Sequence, residues 1–135
     1  MQNRIILFHK QSSSARIRFL YFSNRNSVLG FESLPNLASL IEKSTGSLNE
    51  NAQRQQLNEF FGDVDERVII DDDFHYNIDV PGEIIGVALA RFTDIDPPFE
   101  LAQKVNAKFC EITATRSVSP VELELLQKAY TQIMG

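Results

Sequence analysis

Residues 67–93 (RVIIDDDFHYNIDVPGEIIGVALARFT) carry the strongest pattern in the chain: Phe74, Tyr76, Ile78 and Val80 alternate with Asp73, His75, Asn77 and Asp79. A period of two puts successive side chains on opposite faces of a strand. Pro81 and Gly82 then supply type II turn chemistry, with φ fixed at the first central position and positive φ accepted at the second. The segment predicts a hairpin with Ile78 facing Ile85, Tyr76 facing Val87 and Phe74 facing Leu89, apolar against apolar. On the other face Asp79, Asn77, His75 and Asp73 stand opposite Ile84, Gly86, Ala88 and Ala90, and Asp72 meets Arg91. A four-residue loop from Val80 to Glu83 is preferred, because a two-residue type II turn fits strand twist poorly.

Residues 3–10 and 15–23 are rich in Ile, Phe and Tyr and predict a second hairpin, and residues 28–31 a short third strand. Leu34, Leu37, Leu40 and Ile41 recur at helical spacing after Ser33 and Pro35, predicting a helix that runs to Lys43 and stops at Gly46. Residues 45–56 are polar and read as a hinge, followed by a short helix around Leu57, Phe60 and Phe61 that stops at Gly62. Phe99, Ala102, Val105, Phe109 and Ile112 favour one helix from Asp96 to about Thr115; the rival reading ends it at Asn106 and makes 109–113 a strand. Ser119 and Glu122 form a capping box ahead of the clearest apolar stripe, Leu125, Leu126, Ala129, Tyr130, Ile133 and Met134. The fold expected from these elements is α+β: an antiparallel β-sheet of four to five strands, built from two hairpins and packed with about four helices.

At 135 residues, 43% hydrophobic and 23% charged, the chain suits a single globular domain, residues 1–135. The lone Cys110 has no partner for a disulfide and reads as a buried thiol. No apolar run approaches the length of a membrane span, so the expectation is a cytoplasmic protein without a membrane partner. The net charge of −5 is unevenly spread. Arg4, Lys10, Arg16, Arg18 and Arg25 are the only charges in the first 31 residues, and the remainder carries 18 acids against 8 bases. Those five bases either pair with acids elsewhere, such as Asp71, Asp72 and Asp73, or form an anion-binding patch.

His75 between Asp73 and Asp79 is the one candidate catalytic group, a base that a carboxylate would orient, with Asn77 beside it as a binding residue. The bland alternative is the solvated face of an amphipathic strand. No calcium loop, glycine-rich phosphate loop or metal-spaced cluster occurs, so no cofactor and no metal is expected. With no catalytic constellation evident, the leading expectation is a non-catalytic protein-interaction or regulatory domain, a homo-oligomer or one with a protein partner, because two hairpins leave edges to cover. The first alternative is a small hydrolase or metal-dependent enzyme using His75 with Asp73 or Asp79. The second is anion or nucleic-acid binding through Arg4, Lys10, Arg16 and Arg18; nucleic acid is disfavoured by the acidic remainder of the chain.

Overall fold

The computed structural model describes residues 2–35, 37–43 and 50–135. Its frame is a mixed sheet of seven strands: β1 (Gln2–Lys10), β2 (Ile17–Tyr21), β3 (Leu29–Gly30), β4 (Ser39–Lys43), β5 (Val68–Val80), β6 (Glu83–Phe92) and β7 (Lys108–Cys110). The order across the sheet is β4-β5-β6-β1-β2-β7, with β3 pairing β1. Among the described residues three α-helices pack on it: α1 (Glu50–Phe61), α2 (Phe99–Lys104) and α3 (Pro120–Met134).

The expected antiparallel sheet of four to five strands with about four helices is corrected: seven strands and three α-helices are described, and at the centre of the sheet β1 and β6 run parallel with Asn3 beside Gly86, Ile5 beside Ala88 and Leu7 beside Ala90. Both strands are apolar on both faces, as a strand covered on two sides must be. Ile6, Phe8, Ile85, Val87 and Leu89 pack with Leu125, Leu126 and Ala129 of α3. Ile5, Leu7, Ala88 and Ala90 pack on the opposite side with Leu57 and Phe61 of α1 and with Leu101 and Ala102 of α2. The two hairpins therefore join side by side, and helices cover both faces.

The central hairpin keeps its expected register near the turn, with Ile78 opposite Ile85, Tyr76 opposite Val87 and His75 opposite Ala88. Its loop has two residues, since Val80 pairs with Glu83, and Gly82 takes φ +92 as the turn requires. Beyond His75 a bulge interrupts the ladder, so Ile69 takes the place opposite Arg91 expected for Asp72, and Ile70 takes that expected for Asp73. The acidic run is thus expelled from regular pairing, and the Asp71 carboxylate accepts the Asp73 N–H at 2.8 Å.

Two further expectations fail for one reason. Residues 39–43 are strand β4, not helix, because Ser39, Leu40 and Lys43 find partners along β5 at Asp79, Ile78 and Tyr76. Leu37 sits at φ +64, which ends any helix there, and is 82% exposed. Likewise 98–115 divides into α2, β7 and a 3-10 turn over Ile112–Thr115, since Phe109 and Cys110 pair with Leu20 and Phe19 of β2. In both places a remote strand outcompetes a local helical rhythm. The stop expected at Gly46 lies outside the described residues, while residues 50–56, read as hinge, are the first turns of α1. The Ser119 cap accepts from the Glu122 N–H, but Glu122 does not close the box: its carboxylate reaches Ser27 and Val28 instead.

Candidate functional site

A cleft of about 470 Å³ opens between the N-terminal end of β1, the segment after β3, and α1. Asn3 and Arg4 come from β1, Phe31 and Glu32 from the segment, and Gln55, Gln56 and Glu59 from α1. The helix presents these last three because its inward row, Gln53, Leu57 and Phe61, is committed to the sheet. At Gly30 the chain passes so close to β1 that an added Cβ would stand 2.7 Å from Ile5 Cγ2. The next residue, Phe31, bends away at φ +80, an unfavourable conformation for a bulky side chain. Its ring meets that of Phe60 on α1 edge-on at 5.8 Å, which fixes one wall of the cleft.

Arg4 is 3% exposed, and its guanidinium donates to the carbonyls of Asn3 at 3.1 Å and Ser33 at 3.3 Å. Glu32 stands 3.6 Å away, its side chain 75% exposed. Burial pulls the Arg4 pKa down, and the charges of Glu32 and Glu83 push it back. Arg25 reaches the same Ser33, donating to its hydroxyl at 3.4 Å while its guanidinium lies 4.2 Å over the Phe22 ring. Burial lowers its pKa as well, with Glu122 opposing and Arg4 adding to the fall. Oε1 of Gln56, which lines the cleft, is buried with no hydrogen-bond partner among the described residues, and Oε1 of Gln53, on the row facing the sheet, and Nδ1 of His75 are in the same state. Groups left in this state inside a fold are costly, and they mark places where a ligand or solvent is accommodated.

His75 lies on the α1 face, its ring over Gly86. A Cβ built on that glycine would meet His75 Nε2 at 3.1 Å and Asn3 Oδ1 at 3.3 Å. The histidine is thus one side chain removed from the cleft. Asn77 is half-buried opposite Gly86, Asp79 is exposed between Ser39 and Ile84, and Asp73 is exposed in the bulge. Among the described residues His75 hydrogen-bonds to neither aspartate. His9 is fully buried at the far end of β1, bonded to the Asp94 carbonyl at 2.8 Å, and does not approach His75.

The basic residues divide in the same way. Arg16 pairs with Glu111 and Arg18 with Gln11, at the opposite end of the first hairpin from Arg4. Lys10 lines a separate hollow of about 260 Å³ with Arg91 and Asp71. Cys110 is half-buried on β7, and burial raises its pKa, which disfavours the reactive thiolate.

The residues missed by sequence reasoning are Phe31, Glu32, Gln55, Gln56 and Glu59. Gln55 and Gln56 fell in the polar segment read as hinge, and Glu59 follows them at helical spacing; Phe31 and Glu32 carried no signal. Among the described residues no three His, Cys, Asp or Glu side chains converge as a metal ion would need. No described helix is long and apolar enough to cross a membrane.

No protein-family model matches the sequence, and no curated protein matches it. Among solved structures the chain is similar to the crystal structure of a C. elegans Ap4A hydrolase, with a TM-score of 0.60 and 15% identity, over 98% of this chain and 96% of that one. At that identity the likeness is one of fold. At the level of fold alone, the likeness runs against the expectation of a non-catalytic, self-associating protein-binding module and in the direction of the small-hydrolase alternative.

Proposed function

We propose that the protein is a hydrolase acting on a phosphate-bearing, nucleotide-type substrate in the cleft between α1 and β1. The observation that carries this reading is a buried guanidinium, Arg4, facing the same cleft as two accessible carboxylates, Glu32 and Glu59, in a fold like that of an Ap4A hydrolase. Arg4 neutralises charge building on the phosphoryl oxygens, held in place beforehand by its carbonyl partners. Glu59 takes a proton from water as the water oxygen bonds to phosphorus. The phosphoanhydride P–O bond breaks, and its electron pair leaves with the departing phosphate. Asn3, Gln55 and Gln56 supply amides for neutral hydrogen bonds to substrate, and Phe31 a ring against which a base can lie. The described residues do not form a protein site for a metal, so no step is assigned to a protein-bound ion.

The test is a phosphate-release assay with diadenosine tetraphosphate, ATP and a phosphomonoester, on the parent chain, Glu59→Gln and Arg4→Gln. Turnover of at least one anhydride, falling about a hundredfold in Glu59→Gln, is the expected result, since general-base help is worth that order. Absence of hydrolysis across the panel, or full activity in Glu59→Gln, overturns the assignment of this cleft.

A further inference from the structure

The hollow of about 260 Å³ that Lys10 shares with Arg91 lies at the far end of β1 from the cleft, beside α3 instead of α1. From Asn3 to Lys10 is on the order of 20 Å along the strand. The bulge in β5 makes this hollow. Unbroken pairing from the turn sets Asp72 opposite Arg91, an acid against a base, but the slip after Ile70 puts Ile69 there. Arg91 is thereby left without its cross-strand counter-charge, next to an isoleucine that is 49% exposed. Its neighbour on the other side is Phe8 of β1, so a cation stands between two apolar side chains in a row across three strands. Lys10 follows Phe8 on the same face of β1, and Ile133 of α3 adds an apolar wall. We propose that this hollow binds a small monocarboxylate with an apolar chain, its carboxylate between Lys10 and Arg91 and its chain over Ile69, Phe8 and Ile133. The site is separate from the cleft and does not rest on the hydrolase reading.

Three observations select that ligand. Among the described residues neither Lys10 nor Arg91 makes an ion pair or a hydrogen bond through its side chain, in a protein with 18 acids. Asp71, the acid that lines the hollow, is turned to other partners: its carboxylate accepts the Asp73 N–H at 2.8 Å and the Gln132 amide at 3.4 Å. Two cations against one carboxylate leave a formal charge of +1, which one monoanion balances and a phosphate dianion or polyphosphate exceeds. The volume falls below the range of about 300–1,000 Å³ usual for drug-sized ligands, which limits the guest to about ten non-hydrogen atoms. The apolar walls decide the rest of its chemistry. A carboxylate on the Arg91 fork satisfies the unpaired guanidinium, and the attached chain removes Ile69 from water.

Titration of the isotope-labelled full chain with butyrate, hexanoate and octanoate, followed by backbone amide shifts, tests the proposal. Saturable one-site shifts centred on Lys10, Ile69, Arg91 and Ile133 are expected, with an octanoate Kd on the order of 0.1 mM. Each pair of methylenes removed weakens binding about tenfold. Hexanamide, which keeps the chain and loses the charge, binds about tenfold more weakly than hexanoate. Arg91→Gln weakens octanoate about tenfold, and Arg91→Lys restores part of the loss. Ile69→Ser flattens the dependence on chain length while leaving the preference for hexanoate over hexanamide, a split that general loss of structure does not produce. Both substituted side chains are exposed, and an unchanged melting temperature checks each variant. The proposal is overturned by the absence of saturable shifts at these residues up to about 10 mM octanoate, or by equal affinity for hexanoate and hexanamide. Tighter binding of inorganic phosphate or ATP in this hollow, or octanoate affinity unchanged in Arg91→Gln, overturns it as well.

Discussion

The two faces of the sheet use the same strands in different ways. Under α3 the strands send Phe74, Ile78, Val80, Val87 and Leu89 into a dry layer against Leu125, Leu126 and Ala129. A buried charge there, Glu122, receives the Val28 N–H and the Ser27 hydroxyl on one oxygen, each at 2.9 Å. Under α1 the strands turn small, Gly86, Ala88 and Ala90, and polar groups crowd in beside them. Gln53 is 2% exposed with its carbonyl oxygen unpaired among the described residues, and His75 Nδ1 is in the same state. One face is spent on holding the protein together. The other gives up packing and hydrogen-bond satisfaction around the cleft, which is the cost a ligand site carries.

The contrast breaks most visibly at Phe74. Phe74→Ala removes a nearly buried ring packed edge-on against Tyr76 at 4.9 Å, and should cost about 3–5 kcal/mol in chemical denaturation. A loss below about 1 kcal/mol would mean that the α3 layer is not the stabilising one.

Glu122 comes next. Glu122→Ala leaves the Val28 N–H and Ser27 hydroxyl without their acceptor, at about 1–3 kcal/mol. Glu122→Gln retains an oxygen for both donors and should fold nearly as well. Burial raises the Glu122 pKa above its ordinary 4.5, so over a window starting there the folded state holds a proton that the unfolded chain has released. This contribution to stability is therefore full below pH 4.5 and is lost as pH rises through the raised value. Glu122→Gln should abolish that decline, which denaturation midpoints measured from pH 4 upward would show.

The smallest effect is expected at Gln53, where the contrast is sharpest. Gln53→Leu exchanges an unpaired buried amide for an apolar side chain of similar size, and stability should change by less than about 1 kcal/mol, in either direction. A larger loss would show that the amide is paired in solution and that the α1 face is as well satisfied as the other.

Much of this was written in local pattern. The central hairpin, the pairing of Ile78 with Ile85 and Tyr76 with Val87, the first hairpin and α3 all follow from alternation, turn residues and a serine cap. The bulge after Ile70 was hidden because Asp71, Asp72 and Asp73 alternate with nothing, so no period marks where the ladder slips. The candidate site was half legible. His75 was singled out for its neighbours in sequence, Asp73 and Asp79, yet what stands beside it is Asn3, brought by the parallel pairing of β1 with β6. Gln55 and Gln56 were read as part of a polar hinge and Glu59 was not singled out, because a cleft has no signature until its second wall arrives.

Taken alone, the order of residues determined which segments bury a side and where several turns fall, because those depend on neighbours within a few positions. It did not determine that 39–43 and 108–110 are strands, that β1 and β6 run parallel, or that Arg4 and Arg25 meet at Ser33. Each of these is a contact between distant parts of the chain, whose free energy exists only once the sheet has assembled.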